Sequence, residues 1–291
     1  MRKVLVLIGL AFVSFAGMAR AQEGAPVTAD PTVVPIGDPA APVATPAVVA
    51  PAGYPDEYAL RPIGVAAGMV EVKVPVVINL SKSMVAKPIS VPLEVRYGVS
   101  NELELRIFHD SVEPMLPGGV CLGGKDRGCG KFYNNVGVGA GYSFLKNNGL
   151  ELAGLGALEI ADIDQSFADL QVGLGVKYIT GAISVAAAPK VYIGLNKRDK
   201  GNLKQVIGVP VEVAFQANPQ LAPFIRTGIM GSTDKFGDNY VIPVGIGANY
   251  LLQHGLDLGA VFSMPMAATG RSGITGTDFR SLTIYAAWRN L

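Results

Sequence analysis

Two histidines, two cysteines and a balanced set of carboxylates and cations are the residues of this 291-residue chain that could carry chemistry. His109 and His254 are its only imidazoles, the side chains best suited to general acid–base work near neutral pH. A hydrolytic site would need one of them beside a serine or a carboxylate. Asp110 and Ser111 follow His109 directly. Successive residues of an extended chain point to opposite sides, however, and no catalytic triad follows. Cys121 and Cys129 share one Gly-rich stretch, residues 118–130, without a nearby histidine or second cysteine pair. A local disulfide in an oxidising compartment is the expected state, in preference to a metal site. The sequence contains no Gly-rich phosphate loop and no metal-ligand cluster, so no catalytic, metal or cofactor residue is assigned.

The elements that would position such residues belong to an exported chain. Arg2 and Lys3 precede an apolar stretch, residues 4–18, and Ala19-Arg20-Ala21 forms a cleavage motif. This pattern predicts a signal peptide over residues 1–21, because the stretch is shorter than the ~20 residues that cross a bilayer. Residues 22–57 repeat proline at short intervals (Pro26, Pro31, Pro35, Pro39, Pro42). Proline removes a backbone donor and fixes φ, so a disordered, flexible linker is expected. A tether that contacts peptidoglycan or enters an internal space is the alternative. Charged residues make up 16% of the chain, below the roughly one quarter usual for a soluble domain, and glycine occurs 36 times. A net charge of +1 argues against a nucleic-acid partner.

From about residue 69 the pattern has period two. Val70, Val72, Val74, Val76 and Ile78 alternate with Glu71, Lys73, Pro75, Val77 and Asn79, and comparable runs centre on Leu174 and Ile246. Such alternation marks strands whose faces meet different surroundings. About twelve segments can be counted, centred on Val74, Leu93, Leu105, Gly139, Gly156, Leu174, Ala187, Val209, Ile225, Ile246, Leu258 and Ile284. Tight Asn/Gly/Pro links alternate with longer polar ones, the order expected of periplasmic turns and extracellular loops. Prolines 75, 92, 189, 210 and 243 fall inside strands and predict bulges or frayed pairing. The basic link Asn196-Lys197-Arg198-Asp199-Lys200 is read as a solvated loop tip.

Two observations decide which face meets lipid. Tyr97, Phe144, Tyr178, Phe215, Tyr250 and Trp288 occupy the apolar face just before a tight turn or the C-terminus, as an aromatic girdle at one membrane interface would. The opposite face carries glycines, among them Gly137, Gly139, Gly141, Gly208 and Gly259, together with charges of both signs. These charges, Glu71, Lys73, Glu94, Arg96, Glu104, Arg106, Lys190, Glu212, Arg226, Asp257 and Arg289, are the candidate lumen residues. Open sheet edges do not survive in hydrocarbon. The expected fold is therefore all-β, an antiparallel up-and-down transmembrane β-barrel of about twelve strands over residues 58–291.

These features, with the hairpin Tyr97-Gly98-Val99-Ser100-Asn101-Glu102-Leu103-Glu104, resemble the bacterial outer-membrane β-barrel (porin-like) superfamily of the small, about twelve-stranded type. The C-terminal Tyr285-Ala286-Ala287-Trp288-Arg289-Asn290-Leu291 departs from that family's usual terminal Phe. The resemblance implies outer-membrane lipid, lipopolysaccharide and the barrel-assembly machinery as partners. The resulting expectation is a narrow passive channel for small solutes or ions, weakly selective because its charges balance. A closed structural or adhesive barrel is the alternative, and a barrel-embedded hydrolase is a third reading. Both cysteines, His109 and the longest polar link then fall on the extracellular side, and His254 on the periplasmic side, too far apart to act together.

Overall fold

The computed structural model describes residues 53–82, 84–109, 118–198, 204–273 and 276–291. The expected signal peptide, most of the Pro/Ala-rich segment and part of the link 196–200 lie outside those residues. The described chain forms one antiparallel sheet of sixteen segments: β1 (Val70–Asn79), β2 (Ile89–Val91), β3 (Glu94–Gly98), β4 (Leu103–Phe108), β5 (Gly119–Leu122), β6 (Tyr133–Asn134), β7 (Val136–Asn147), β8 (Leu150–Asp162), β9 (Phe167–Thr180), β10 (Ile183–Ala187), β11 (Lys190–Gly194), β12 (Gln205–Phe215), β13 (Leu221–Ser232), β14 (Val241–Gln253), β15 (Leu256–Thr269) and β16 (Ser281–Arg289).

Segments β2 and β3 both pair with β1, and β10 and β11 both lie between β9 and β12. Each duo is therefore one interrupted stave. With the β5–β6 hairpin set aside, the sixteen segments make twelve staves. The barrel closes where β1 pairs with β16, from Glu71 opposite Arg289 to Asn79 opposite Ser281. Every predicted strand centre falls on its own stave, Leu93 at the interruption between β2 and β3.

The five prolines singled out in the sequence gather at three discontinuities, while β13 and β15 hold two more, Pro223 and Pro265. The ladder from β1 runs to Lys73–Glu94 in β3 and resumes at Val77–Ser90 in β2. Pro75 and Pro92 both lie in that gap, each removing a donor that has no partner to serve. Likewise β12 pairs with β10 up to Val211 and with β11 from Gly208. Pro210 thus faces the Ala188–Pro189 break, where the Ala188 N–H donates to the Pro210 carbonyl at 3.0 Å. Pro243 lies at a register shift between β14 and β15. One proline per strand would leave five defects, and pairing them across neighbours leaves three.

The links sort by end, with one departure from the expected lengths. Residues 99–102, 148–149, 181–182, 216–220 and 254–255 turn at one end, here the short-turn end. Five of the six opposite links are longer, but residues 163–166 turn as tightly as those at the short-turn end, because β8 and β9 themselves run 13 and 14 residues. The longest link carries the β5–β6 hairpin, which extends the wall beyond β2. The Cys121–Cys129 disulfide closes that hairpin.

Inward glycines were expected to leave open space, and neighbouring side chains fill it. A Cβ on Gly137 would meet the Phe108 ring at 2.3 Å, and one on Gly259 would meet the Tyr285 ring at 2.1 Å. Aromatic rings from adjacent staves lie over these bare stretches of backbone. Gly259→Val should consequently push the Tyr285 ring aside and cost about 1–3 kcal/mol, as overpacking does. In heat-modifiable gel mobility its folded band should convert at a lower temperature than wild type. Gly154→Ala, a Cβ that meets nothing within 4 Å, should leave the conversion temperature unchanged.

Candidate functional site

Residues 53–69 form no strand apart from their junction with β1, and hold a single 3-10 turn, Tyr58–Leu60. They lie inside the barrel at its short-turn end, so the expected boundary at residue 57/58 falls within this inner segment. A chain without regular structure must find partners for its backbone donors elsewhere. Here barrel side chains supply them. The Ala59 N–H donates to Gln216 at 3.0 Å, Ile63 N–H to Glu151 at 2.7 Å, Val65 N–H to Glu104 at 3.2 Å and Ala67 N–H to Asn101 at 3.2 Å. Gly98 lets the segment approach the wall, since a Cβ there would meet the Ala66 carbonyl oxygen at 1.9 Å. Tyr58 stacks on Phe224 at 5.6 Å between ring centres, and Ala59 is fully buried with Ala214, Phe224, Val261 and Tyr285.

The segment is also tied in by charge. Arg61 of the inner segment contacts Asp257 at 2.5 Å, Asp257 contacts Arg289 at 2.8 Å, and Arg289 contacts Glu71 at 3.4 Å. Glu71 contacts Arg96 at 3.0 Å, and Arg96 contacts Glu104 at 2.6 Å. Six side chains thus alternate in sign across β15, β16, β1, β3 and β4, with no net charge. The string begins on the inner segment and returns to it, because Glu104 accepts from Val65 and Arg96 donates to the Ile63 carbonyl at 2.5 Å. A second cluster joins Arg226 to Glu212 at 2.7 Å, while the Tyr58 hydroxyl donates to Glu212 at 3.0 Å. Burial raises the pKa of both inner phenols, Tyr54 to about 12, so each remains a neutral donor.

Beyond the inner segment the barrel holds a cavity of about 570 Å³. Of the candidate lumen residues, Glu71, Lys73, Glu94, Arg96, Glu212, Arg226, Asp257 and Arg289 line it. Glu104 lies beneath, in the string just described. Arg106 extends over the Phe108 ring at 4.8 Å, and Lys190 lies against Gly173. Of the four charges on neighbouring β3 and β4, Glu94, Arg96, Glu104 and Arg106, Arg96 and Glu104 form an ion pair.

Sequence reasoning missed Tyr54, Tyr58, Arg61 and Ile63 of the inner segment, and Lys177, all of which line the cavity. One signal was available. Residues 53–69 carry two tyrosines and an arginine, unlike the linker before them, yet show no period of two.

The six girdle aromatics stand on the outer wall near the short-turn end, between 42% and 54% exposed. His109 bonds the Leu93 carbonyl and the Tyr133 hydroxyl, both at 2.6 Å, at the long-loop end. His254 meets Asp56 at 2.5 Å at the other. Asn196 bonds Ser166 and Ala168 across the neighbouring turn, while Lys197 and Arg198 of that basic link are exposed.

If the charge string seats the inner segment, removing its first member should loosen that segment. A Val65→Cys variant reports on this, because Val65 is 2% exposed and both native cysteines are paired. Adding Arg61→Ala should speed maleimide labelling at position 65 by about tenfold or more, the loss of one charged hydrogen bond. Unchanged labelling would show that Arg61 does not hold the segment.

No protein-family model matches the chain, and no curated protein matches it. Solved structures do. The NanC porin superposes with a TM-score of 0.54 at 8% identity, covering 75% of this chain and 98% of its own. The KdgM porin gives 0.52 at 10% identity, with 75% and 98% covered. An outer membrane channel from Pseudomonas putida F1 gives 0.51 at 11% identity, with 83% and 99% covered. At such identities the likeness is one of architecture, and in architecture this closed twelve-stave barrel has the fold of the outer-membrane porins.

Proposed function

We propose that the chain is an outer-membrane channel for small solutes, narrowed at its periplasmic mouth by its own residues 53–69. The observation that carries this reading is the inverted distribution of side chains. Ile225, Ile246 and Ile284 stand 53%, 62% and 48% exposed on the outer wall, while Asp257 and Arg289 are 1% and 2% exposed within. A soluble protein does not leave so continuous an apolar surface in water. Hydrocarbon accepts that surface, provided the sheet is closed. The six outer aromatics would then lie at the periplasmic interface, and lipid, lipopolysaccharide and the assembly machinery become the natural partners.

The charge string is neutral, so weak ion selectivity is expected of whatever passes. The docking of residues 53–69 favours a second reading, a barrel held shut whose role is structural or adhesive. Both readings are tested in planar bilayers. The mature chain should give small, steady conductance steps, and a variant lacking residues 22–69 but keeping its signal peptide should give clearly larger ones. Silence from both across a range of voltages would sink the channel reading.

A further inference from the structure

The cavity beyond the inner segment has two unlike walls, and its charged residues are not all engaged. Arg61, Glu71, Arg96, Glu212, Arg226, Asp257 and Arg289 are consumed by the contacts described above. Three charges are not: Lys177 on β9, and the oppositely charged pair Lys73 and Glu94. The latter two lie directly opposite each other in the β1–β3 register, both line the cavity, and among the described residues neither has an ion-pair partner within 4.0 Å. Opposite positions on antiparallel strands place Cβ atoms ~4.5–5.5 Å apart, so one positive and one negative group stand side by side. The Lys73 ammonium lies 4.5 Å from the centre of the Tyr285 ring, which holds it against the wall.

Across the cavity part of the lining is apolar, with Lys177 and Glu212 flanking Ala186. Leu155, Ala186, Ala188, Pro210 and Pro243 come from β8, the β10–β11 stave, β12 and β14, and Ile63 joins them from the floor. The apolar part of this wall is a favourable surface for a hydrocarbon group. A volume of about 570 Å³ lies within the ~300–1,000 Å³ range of small-ligand sites.

We infer that this cavity is a binding site for a small zwitterion bearing an apolar side group, of the kind of a hydrophobic amino acid. The ligand carboxylate meets Lys73, its ammonium meets Glu94, and its side group lies on the Leu155–Ala186–Pro210 wall. This deepens the channel reading by naming its solute class and rests on that reading for its role. The binding itself is measurable without transport.

The test uses purified full chain in detergent and equilibrium dialysis with phenylalanine, phenylacetate, phenethylamine, glycine and xylose. Phenylalanine should bind at least about tenfold more tightly than each of the others, the difference one charged contact or one buried side group supplies. Lys73→Ala should abolish its advantage over phenethylamine, and Glu94→Ala its advantage over phenylacetate. The exchange Lys73→Glu with Glu94→Lys should restore most of the preference, which guards against a single variant that fails to fold. Equal affinities for all five probes would overturn the inference, as would a preference untouched by these substitutions. Binding with silent bilayers would remove the channel reading alone, and conductance without preference would remove the solute class alone.

Discussion

Closure of the sheet is the constraint from which the rest of the molecule follows. Away from the interruptions, the backbone donors and acceptors of the wall are met by neighbouring staves, and the pairing of β1 with β16 leaves no edge. With an even number of staves, closure also brings both chain ends to the same rim. Residues preceding Val70 therefore enter at the short-turn end, beside Arg289 and the C-terminus. The closing register sets Glu71 against Arg289, and both side chains face inward. The seam that completes the barrel thus begins the charge string, and the string meets the incoming segment where it must pass.

Inside the barrel, the energetic question is how charges are kept from standing alone. An isolated buried ion is costly, and a buried pair returns only part of what desolvation takes. Such a string is better understood as fixing an arrangement than as a source of stability. It fixes where residues 53–69 lie, because those residues have almost no internal hydrogen bonding of their own. Glu104, Glu151 and Gln216 accept from backbone N–H groups of that segment, so barrel and segment complete each other. Removing the segment exposes acids to the lumen, and removing an acid leaves the segment with an unmet donor.

Most of the wall could be read from the sequence, because period-two alternation depends only on two faces meeting different media. Val74, Leu174 and Ile246 announce outward positions without any knowledge of partners, and Asn147-Asn148-Gly149 and Gln253-His254-Gly255 announce turns by their own conformational preferences. The interior was less legible. Gly259 looks like vacant space until Tyr285, 26 positions later, is known to lie over it. Arg96 and Glu104 stand on the two strands of one hairpin and pair, but the contact of Arg96 with Glu71 depends on the β1–β3 register, which no local pattern states. The inner segment was hardest to see. Irregular chain has no period, and its partners, Asp257 and Glu212 among them, lie more than 150 residues away.

The prolines connect wall and cavity. Lys73–Glu94 is the last β1–β3 pair before the gap that holds Pro75 and Pro92. Ala187–Val211 is the last β10–β12 pair before the gap that holds Pro189 and Pro210. Pro210 and Pro243, each at a discontinuity, line the cavity. The proline-marked interruptions are thus not scattered over the sheet, but fall at the level where the lumen opens, on both of its unlike walls. Where the inner segment seals the barrel, below that level, the ladders carry no proline gap, only the register shifts at Ser143–Leu145 and Leu251–Gln253. Interrupted ladders bend and twist a stave locally. Proline also contributes an apolar ring without adding a backbone donor that the lumen would have to satisfy. The same residue type therefore interrupts the ladders and makes the surface less polar at one height, so that apolar lining and the Lys73–Glu94 pair face one space inside an otherwise charged interior.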